Sequence, residues 1–261
     1  MSISNSTANR ISSTLKETIV TKLAAYEPET NQMPFHTRLL GKDRYALFSF
    51  IQSMNTTFGI SIWEQVAVTL AEGAGRKAFR QYILVGQVDS STEGLITSIV
   101  HDLREGKAEV NKEKESEAIK QSVINGLPRS DDSDKVVDFV MFVNNRVEFY
   151  DITSAKPNMK EFVALKTKLL RWVGLSYSQD KNLEVFAAIA IPYNPYFPKP
   201  YERWTMRGLF DIQRNEVMVG EEFWNHVAGD TVYDELLDIF QITGEELREQ
   251  INQKFSEFRL R

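Results

Sequence analysis

VVDFVMFVNNRVEFYDITSAKPN, residues 136–158, decides how this chain is to be read. Two apolar stretches flank Asn144-Asn145, a pair suited to a tight turn, so the segment predicts a β-hairpin. Charged residues in strands usually face water. Asp138, however, lies among apolar neighbours from Val136 to Val143, and burying an unpaired carboxylate costs roughly several kcal/mol. It therefore needs a cation or a donor. The second strand delivers Asp151, and Lys156 follows shortly after.

On the C-terminal side, MKEFVALKTKLLRWVGLSY (159–177) has the spacing of an amphipathic helix, and LEVFAAIAI (183–191) is a continuous apolar run of strand length, suited to a strand buried on both faces. The Pro- and Tyr-rich stretch 192–204 reads as a loop, and residues 220–259 read as acidic helices. On the N-terminal side, helices are expected over 11–26, over 35–58 and over 61–75. For the second of these, Leu39, Leu40, Ala46, Leu47, Phe50 and Ile51 form the expected buried face. QYILVGQVD (81–89) reads as either a short strand or a buried connector. Residues 90–104 suggest a helix, 107–121 a solvated charged helix, and NGLPRSDDSD (125–134) a loop. The expected class is α/β: a small mixed sheet flanked by helices. The chain reads as a single domain, with a mostly helical part (1–130), the hairpin, helix and strand (131–215), and C-terminal helices (216–261).

Composition narrows the chemistry. Of 261 residues 42% are hydrophobic, enough for a sizeable core, and there is no cysteine, which removes disulfides, thiolate metal sites and cysteine nucleophiles. No apolar run approaches a membrane span and the N-terminus lacks a secretory core, so a soluble, cytoplasmic protein without membrane partners is expected. A net charge of −5 argues mildly against a passive nucleic-acid coat, but a basic groove can coexist with gathered carboxylates. The three histidines, His36, His101 and His226, fit no metal spacing.

Across a hairpin, Asp138 and Asp151 are close enough to share one ion. Two hard oxygen ligands favour Mg²⁺, with Mn²⁺ as a substitute, over zinc. A lysine beside them suits metal-assisted phosphodiester hydrolysis, in which charge develops on phosphate oxygens.

The hairpin resembles the core of the PD-(D/E)xK nuclease superfamily, with Asp138 as first acid. PFHTRLLGKDRYALFSFIQSMNTTFG (34–59), SIWEQVA (61–67), DITSAKPN (151–158), IPYNPYFPKPYERWTMRGLFD (191–211) and VGEEFWNHVAGDTVYDELLDIF (219–240) together resemble type II restriction endonucleases of the group that cuts GGNCC-like sites. That resemblance implies a nuclease-like core, cleavage of double-stranded DNA at a short G·C-rich palindrome leaving 5′-phosphates, a homodimer, a prokaryotic setting, and a cognate DNA methyltransferase as functional rather than physical partner. It also implies that Asp138, Asp151 and Glu64 bind metal and that Lys156 assists catalysis. The chain departs from the superfamily pattern at position 153, where a threonine stands two residues after the acid in place of lysine. Lys156 nominally faces the other way unless a bulge near Ser154 turns it back. The alternative makes Ser154-Ala155-Lys156 the active tripeptide, with Glu161 as recruited acid.

For DNA contacts the candidates are Arg38, Lys42, Arg44 and Asn55 before the Glu64 helix, and Asn194, Lys199, Arg203 and Arg207 in the aromatic loop. Lys160, Lys166, Lys168 and Arg171 read more simply as solvated cations of their helix. Two rival functions are a structure-specific or repair nuclease of the same fold and a non-catalytic DNA-binding module.

Overall fold

A computed structural model describes residues 2–27, 33–124 and 135–259. The loop expected over 125–134 lies outside the described residues. The expected helix over 11–26 is α1 (Asn5–Ala25), which begins at the Ser4 cap. The helix expected over 35–58 is two: α2 (Pro34–Leu40) and α3 (Lys42–Thr57), separated by Gly41 at φ +89°, a conformation that suits glycine. That break shifts the helical phase and corrects the expected buried face. Leu39, Leu40, Leu47 and Ile51 are exposed, whereas Tyr45, Ala46, Phe50 and Met54 are buried.

One π-helical turn, Phe58–Ile62, then feeds α4 (Trp63–Gly73). Strand β1 (Lys77–Ile83) begins before the ambiguous stretch 81–89 and takes up its first three residues, and α5 (Ser90–Arg104) and α6 (Lys112–Ser122) follow. The hairpin is β2 (Val136–Val143) and β3 (Arg146–Ile152), turning at Asn144 with φ +55°. Helix α7 (Met159–Gln179) crosses to β4 (Glu184–Ile191). A short β5 (Val217–Val219), not foreseen in the sequence, precedes α8 (Glu221–Ala228) and α9 (Tyr233–Arg259).

Among the described residues five strands lie in chain order, β1-β2-β3-β4-β5, antiparallel through β3 and parallel from β3 to β5. This is the mixed sheet expected. Helices cover both faces, because alternate strand residues point oppositely. Phe139, Met141, Tyr150 and Ala188 pack with apolar residues of α1, α3, α4, α8 and α9. Val140, Val147, Phe149 and Ile189 pack with α5, α6 and α7. Among the described residues no helix is long and apolar enough to cross a membrane.

The alternation breaks at one place. Val137 packs with the α7 layer and Phe139 with the opposite one, although they are two residues apart. The residue between them is Asp138. Across the β1–β2 ladder, Arg80 pairs with Phe139 and Tyr82 with Val137, so the residue facing Asp138 is Gln81, which has φ +49°. For a side chain with a Cβ this left-handed conformation costs on the order of 1–2 kcal/mol. The distortion therefore sits beside the carboxylate that the sequence singled out.

Candidate active site

Asp138 and Asp151 face each other across the hairpin, since the pairing of Phe139 with Tyr150 continues one step outward to them. Asp138 Oδ2 accepts the backbone N–H of Ile152 at 3.0 Å. Asp151 is 6% exposed, and its Oδ2 accepts from Lys168 Nζ at 2.5 Å. Burial, and after it the charge of Asp151, pushes the Asp138 carboxyl up to about 6 against the opposing pull of Lys168. Two opposed, poorly hydrated carboxylates are what a small hard cation relieves.

Glu64 joins them from the first turn of α4, where the preceding π-helical turn delivers it. It is 2% exposed. Its Oε1 accepts from Gln81 Nε2 at 2.7 Å, whereas Oε2 is buried with no hydrogen bond and has the Arg80 guanidinium Nε at 3.6 Å. Burial, then the charge of Asp138 and more weakly of Asp151, pushes Glu64 up to about 7. The strained Gln81 thus faces Asp138 by its backbone position and binds Glu64 by its side chain. Among the described residues no three acidic or imidazole side chains stand close enough to enclose an ion as they are. The carboxylates nonetheless fit one, because their donor set is hard and one Glu64 oxygen is unbonded.

The lysine in contact with Asp151 is not Lys156. Lys156 follows the end of β3 and holds its ammonium 5.4 Å from the centre of the Tyr196 ring. Lys168, on α7, meets Asp151 instead. The backbone explains the exchange. Thr153 N–H still bonds Ala190 O at 3.0 Å, and the chain then leaves the sheet and bends at Ala155 and Lys156, beyond the strand that carries Asp151. Glu161, the alternative acid, is engaged in the capping box of α7, its Oε2 accepting the Asn158 N–H at 2.6 Å.

Beside the carboxylates, at the end of β3, a cleft of ≈ 480 Å³ opens between Asn55, Gly59 and Trp63 on one side, Thr153–Lys156 below, and Tyr193 and Pro195 on the other. The family profile described as type II restriction endonuclease, HinfI, matches residues 3–244. The chain belongs to the HinfI family of type II restriction endonucleases. Membership in this family makes it a site-specific deoxyribonuclease. It is similar to the type II restriction enzyme HgiCII of Herpetosiphon aurantiacus, 25% identical over 89% of this chain and 85% of that enzyme. To HgiBI of the same organism it is 24% identical, over 85% of this chain and 80% of that enzyme. The type II restriction enzyme MjaII of Methanocaldococcus jannaschii is 24% identical over 74% of this chain, which spans about half (54%) of MjaII.

Within this HinfI-family chain the expected DNA residues fall into two groups. Arg38, Lys42, Arg44 and Asn55 are exposed along α2 and α3, Arg44 bonding Leu40 O at 2.9 Å, and Asn55 borders the cleft. Lys199 and Arg207 are exposed on the loop after β4, Arg207 beside Glu202. Asn194 and Arg203 have internal work. Asn194 donates to Lys199 O at 2.7 Å and accepts from Tyr196 N at 3.0 Å. Arg203 donates to Tyr196 Oη and to Pro157 O, both at 2.9 Å, which pins the loop to the end of the hairpin. Of the helix cations read as solvated, Lys160 is exposed, but Lys166 is fully buried between Glu115 and Glu216, each at 2.6 Å, Lys168 meets Asp151, and Arg171 pairs with Glu93 at 3.0 Å.

Proposed function

We propose that this enzyme hydrolyses both strands of a short G·C-rich palindrome such as GGNCC, with Mg²⁺ bound by Asp138 and Asp151 and assisted by Glu64. The observation that carries the proposal is the opposition of Asp138 and Asp151 across the hairpin, with Glu64 electrically coupled to both. The pairing belongs to the PD-(D/E)xK type, with Thr153 where that pattern carries lysine. A hard divalent cation at these carboxylates supplies activation of water and neutralisation of phosphate charge.

In the reaction, a water oxygen bonds to phosphorus as the P–O3′ bond breaks. The water's proton leaves to solvent, and the departing 3′ oxygen takes one up, giving a 5′-phosphate and a 3′-hydroxyl. Asp151 and Glu64 are buried and Asp138 half-buried, which limits bulk water at these carboxylates and so strengthens their electrostatics. The exposed cations on α2, α3 and the loop after β4 meet backbone phosphates. A palindromic site matches a two-fold axis, so the enzyme acts as a homodimer. Host DNA is spared by a methyltransferase that acts on the same site.

The test is digestion of unmethylated phage DNA with Mg²⁺, followed by sequencing of the fragment ends. Discrete fragments sharing one short palindrome support the proposal and give the site and the cut position. Specific binding without cutting in Mg²⁺ or Mn²⁺ points instead to a non-catalytic module.

A further inference from the structure

Two lysines two positions apart on α7 meet acids in opposite ways. Lys166 is sealed, 0% exposed, between Glu115 and Glu216; it is a structural ion. Lys168 lies on Asp151 Oδ2 with its side chain 26% exposed, its ammonium 4.9 Å from the centre of the Trp172 ring. Meanwhile position 153, which shares the strand face of Asp151, carries a threonine. Lys156, the nearest lysine in sequence, is occupied over Tyr196.

We infer that Lys168 is a catalytic residue of this nuclease, delivered to the carboxylates by the crossover helix in place of a lysine on β3. The inference rests on the nuclease reading above. Its ammonium remains charged throughout. It donates a hydrogen bond to the attacking water and to the non-bridging phosphate oxygen, on which negative charge grows as the P–O3′ bond breaks. No proton is consumed by it, so the balance of the hydrolysis is unchanged. The aromatic ring of Trp172 and the carboxylate of Asp151 hold the ammonium in place.

The variant is Lys168→Met, which keeps the aliphatic stem against Trp172. Single-turnover cleavage at saturating DNA and Mg²⁺ should fall about 10²- to 10³-fold. Calcium-supported binding of a duplex carrying the site mapped from wild-type fragment ends, the melting temperature with Ca²⁺ bound in place of the lost charge, and the affinity for Mn²⁺ by calorimetry should all be retained. In the Lys168→Met background, Thr153→Lys should recover cleavage at least tenfold, because it returns an ammonium to the same carboxylates from the strand.

Lys168→Met that cuts within threefold of wild type overturns the inference. So does Lys156→Met losing cleavage where Lys168→Met does not. Weakened Mn²⁺ binding in Lys168→Met, with no rescue by Thr153→Lys, would make Lys168 an organiser of the carboxylates and equally overturn it. Should Lys168→Met fail to fold, Lys168→Arg retains the charge, and its cleavage and Mn²⁺ affinity decide between the same outcomes. Wild-type protein that cuts nothing in Mg²⁺ or Mn²⁺ fails the nuclease reading itself, which the other results leave standing.

Discussion

The carboxylate of Asp138 accepts its hydrogen bond from the backbone N–H of Ile152, the residue that directly follows Asp151. The first acid is thereby fixed to the strand that carries the second. Asp138→Ala removes one carboxylate and leaves a single lost acceptor for an amide at the strand end. Cleavage should become undetectable, with specific DNA binding in Ca²⁺ retained and the melting temperature unchanged or raised. A variant that still cuts at a normal rate would falsify the site.

The raised carboxyls make the metal-free fold sensitive to pH. Asp138 goes from 3.8 to about 6 and Glu64 from 4.5 to about 7 on folding, burial being the first cause of each. Folded protein therefore holds these protons more tightly than unfolded protein. The stability this contributes is fully present below the unfolded values and is lost as pH rises through about 6 and about 7. Without metal, the difference in melting temperature between wild type and Asp138→Asn should open against wild type between pH 5 and 8, on the order of a few °C. Mg²⁺ should restore the wild type at pH 8 and do little at pH 5. A difference that is flat with pH, or opens the other way, rejects this.

Gln81 separates strain from function. Gln81→Gly relieves the left-handed backbone at φ +49° and deletes the bond to Glu64. The two stability effects oppose each other, the relief being on the order of 1 kcal/mol. Thermal stability should change little while single-turnover cleavage falls about tenfold. Equal losses in both measurements would reduce Gln81 to a structural residue.

Lys166 makes the contrasting prediction. Lys166→Met leaves Glu115 and Glu216 as uncompensated buried acids, a loss on the order of 3–5 kcal/mol. The urea midpoint reads this directly. A change under ~1 kcal/mol would mean that the two acids take up protons instead of charge.

Among the loop cations, Lys199→Ala should weaken binding uniformly across sequences and lower the salt slope of affinity by about 1, as loss of a phosphate contact does. Arg203→Ala should instead lower the melting temperature, since its bonds run to Tyr196 and Pro157. If Arg203→Ala relaxed sequence preference at unchanged stability, the arginine would be a base reader after all.

The sequence carried the hairpin and its two acids because an aspartate in an unbroken apolar strand is a local conflict, visible without knowledge of the fold. Glu64 came only with the resemblance to restriction endonucleases, since a single glutamate on a helix carries no mark of its burial beside Gln81. Lys168 was not, because its partner lies across a crossover and helical spacing alone makes it resemble Lys160, an ordinary polar position of the same helix. The buried Lys166 escaped for the same reason: Glu115 and Glu216 lie about fifty residues to either side of it. Gly41 was visible, but whether a glycine interrupts a helix or merely sits in it depends on its backbone angles. Gln81 carried no signal, since glutamine has no preference for the left-handed region that would mark it.

The hairpin turn at Asn144-Asn145 lies at the opposite end of β2 and β3 from the acids. Opening the chain between those asparagines would leave Glu64 and Asp138 on one fragment, and Asp151 with Lys168 on the other. Neither piece could assemble the cleavage centre alone, so activity would report the reunion of the two halves. The fold thus contains a natural seam for a split enzyme, a cutter armed only where both fragments meet.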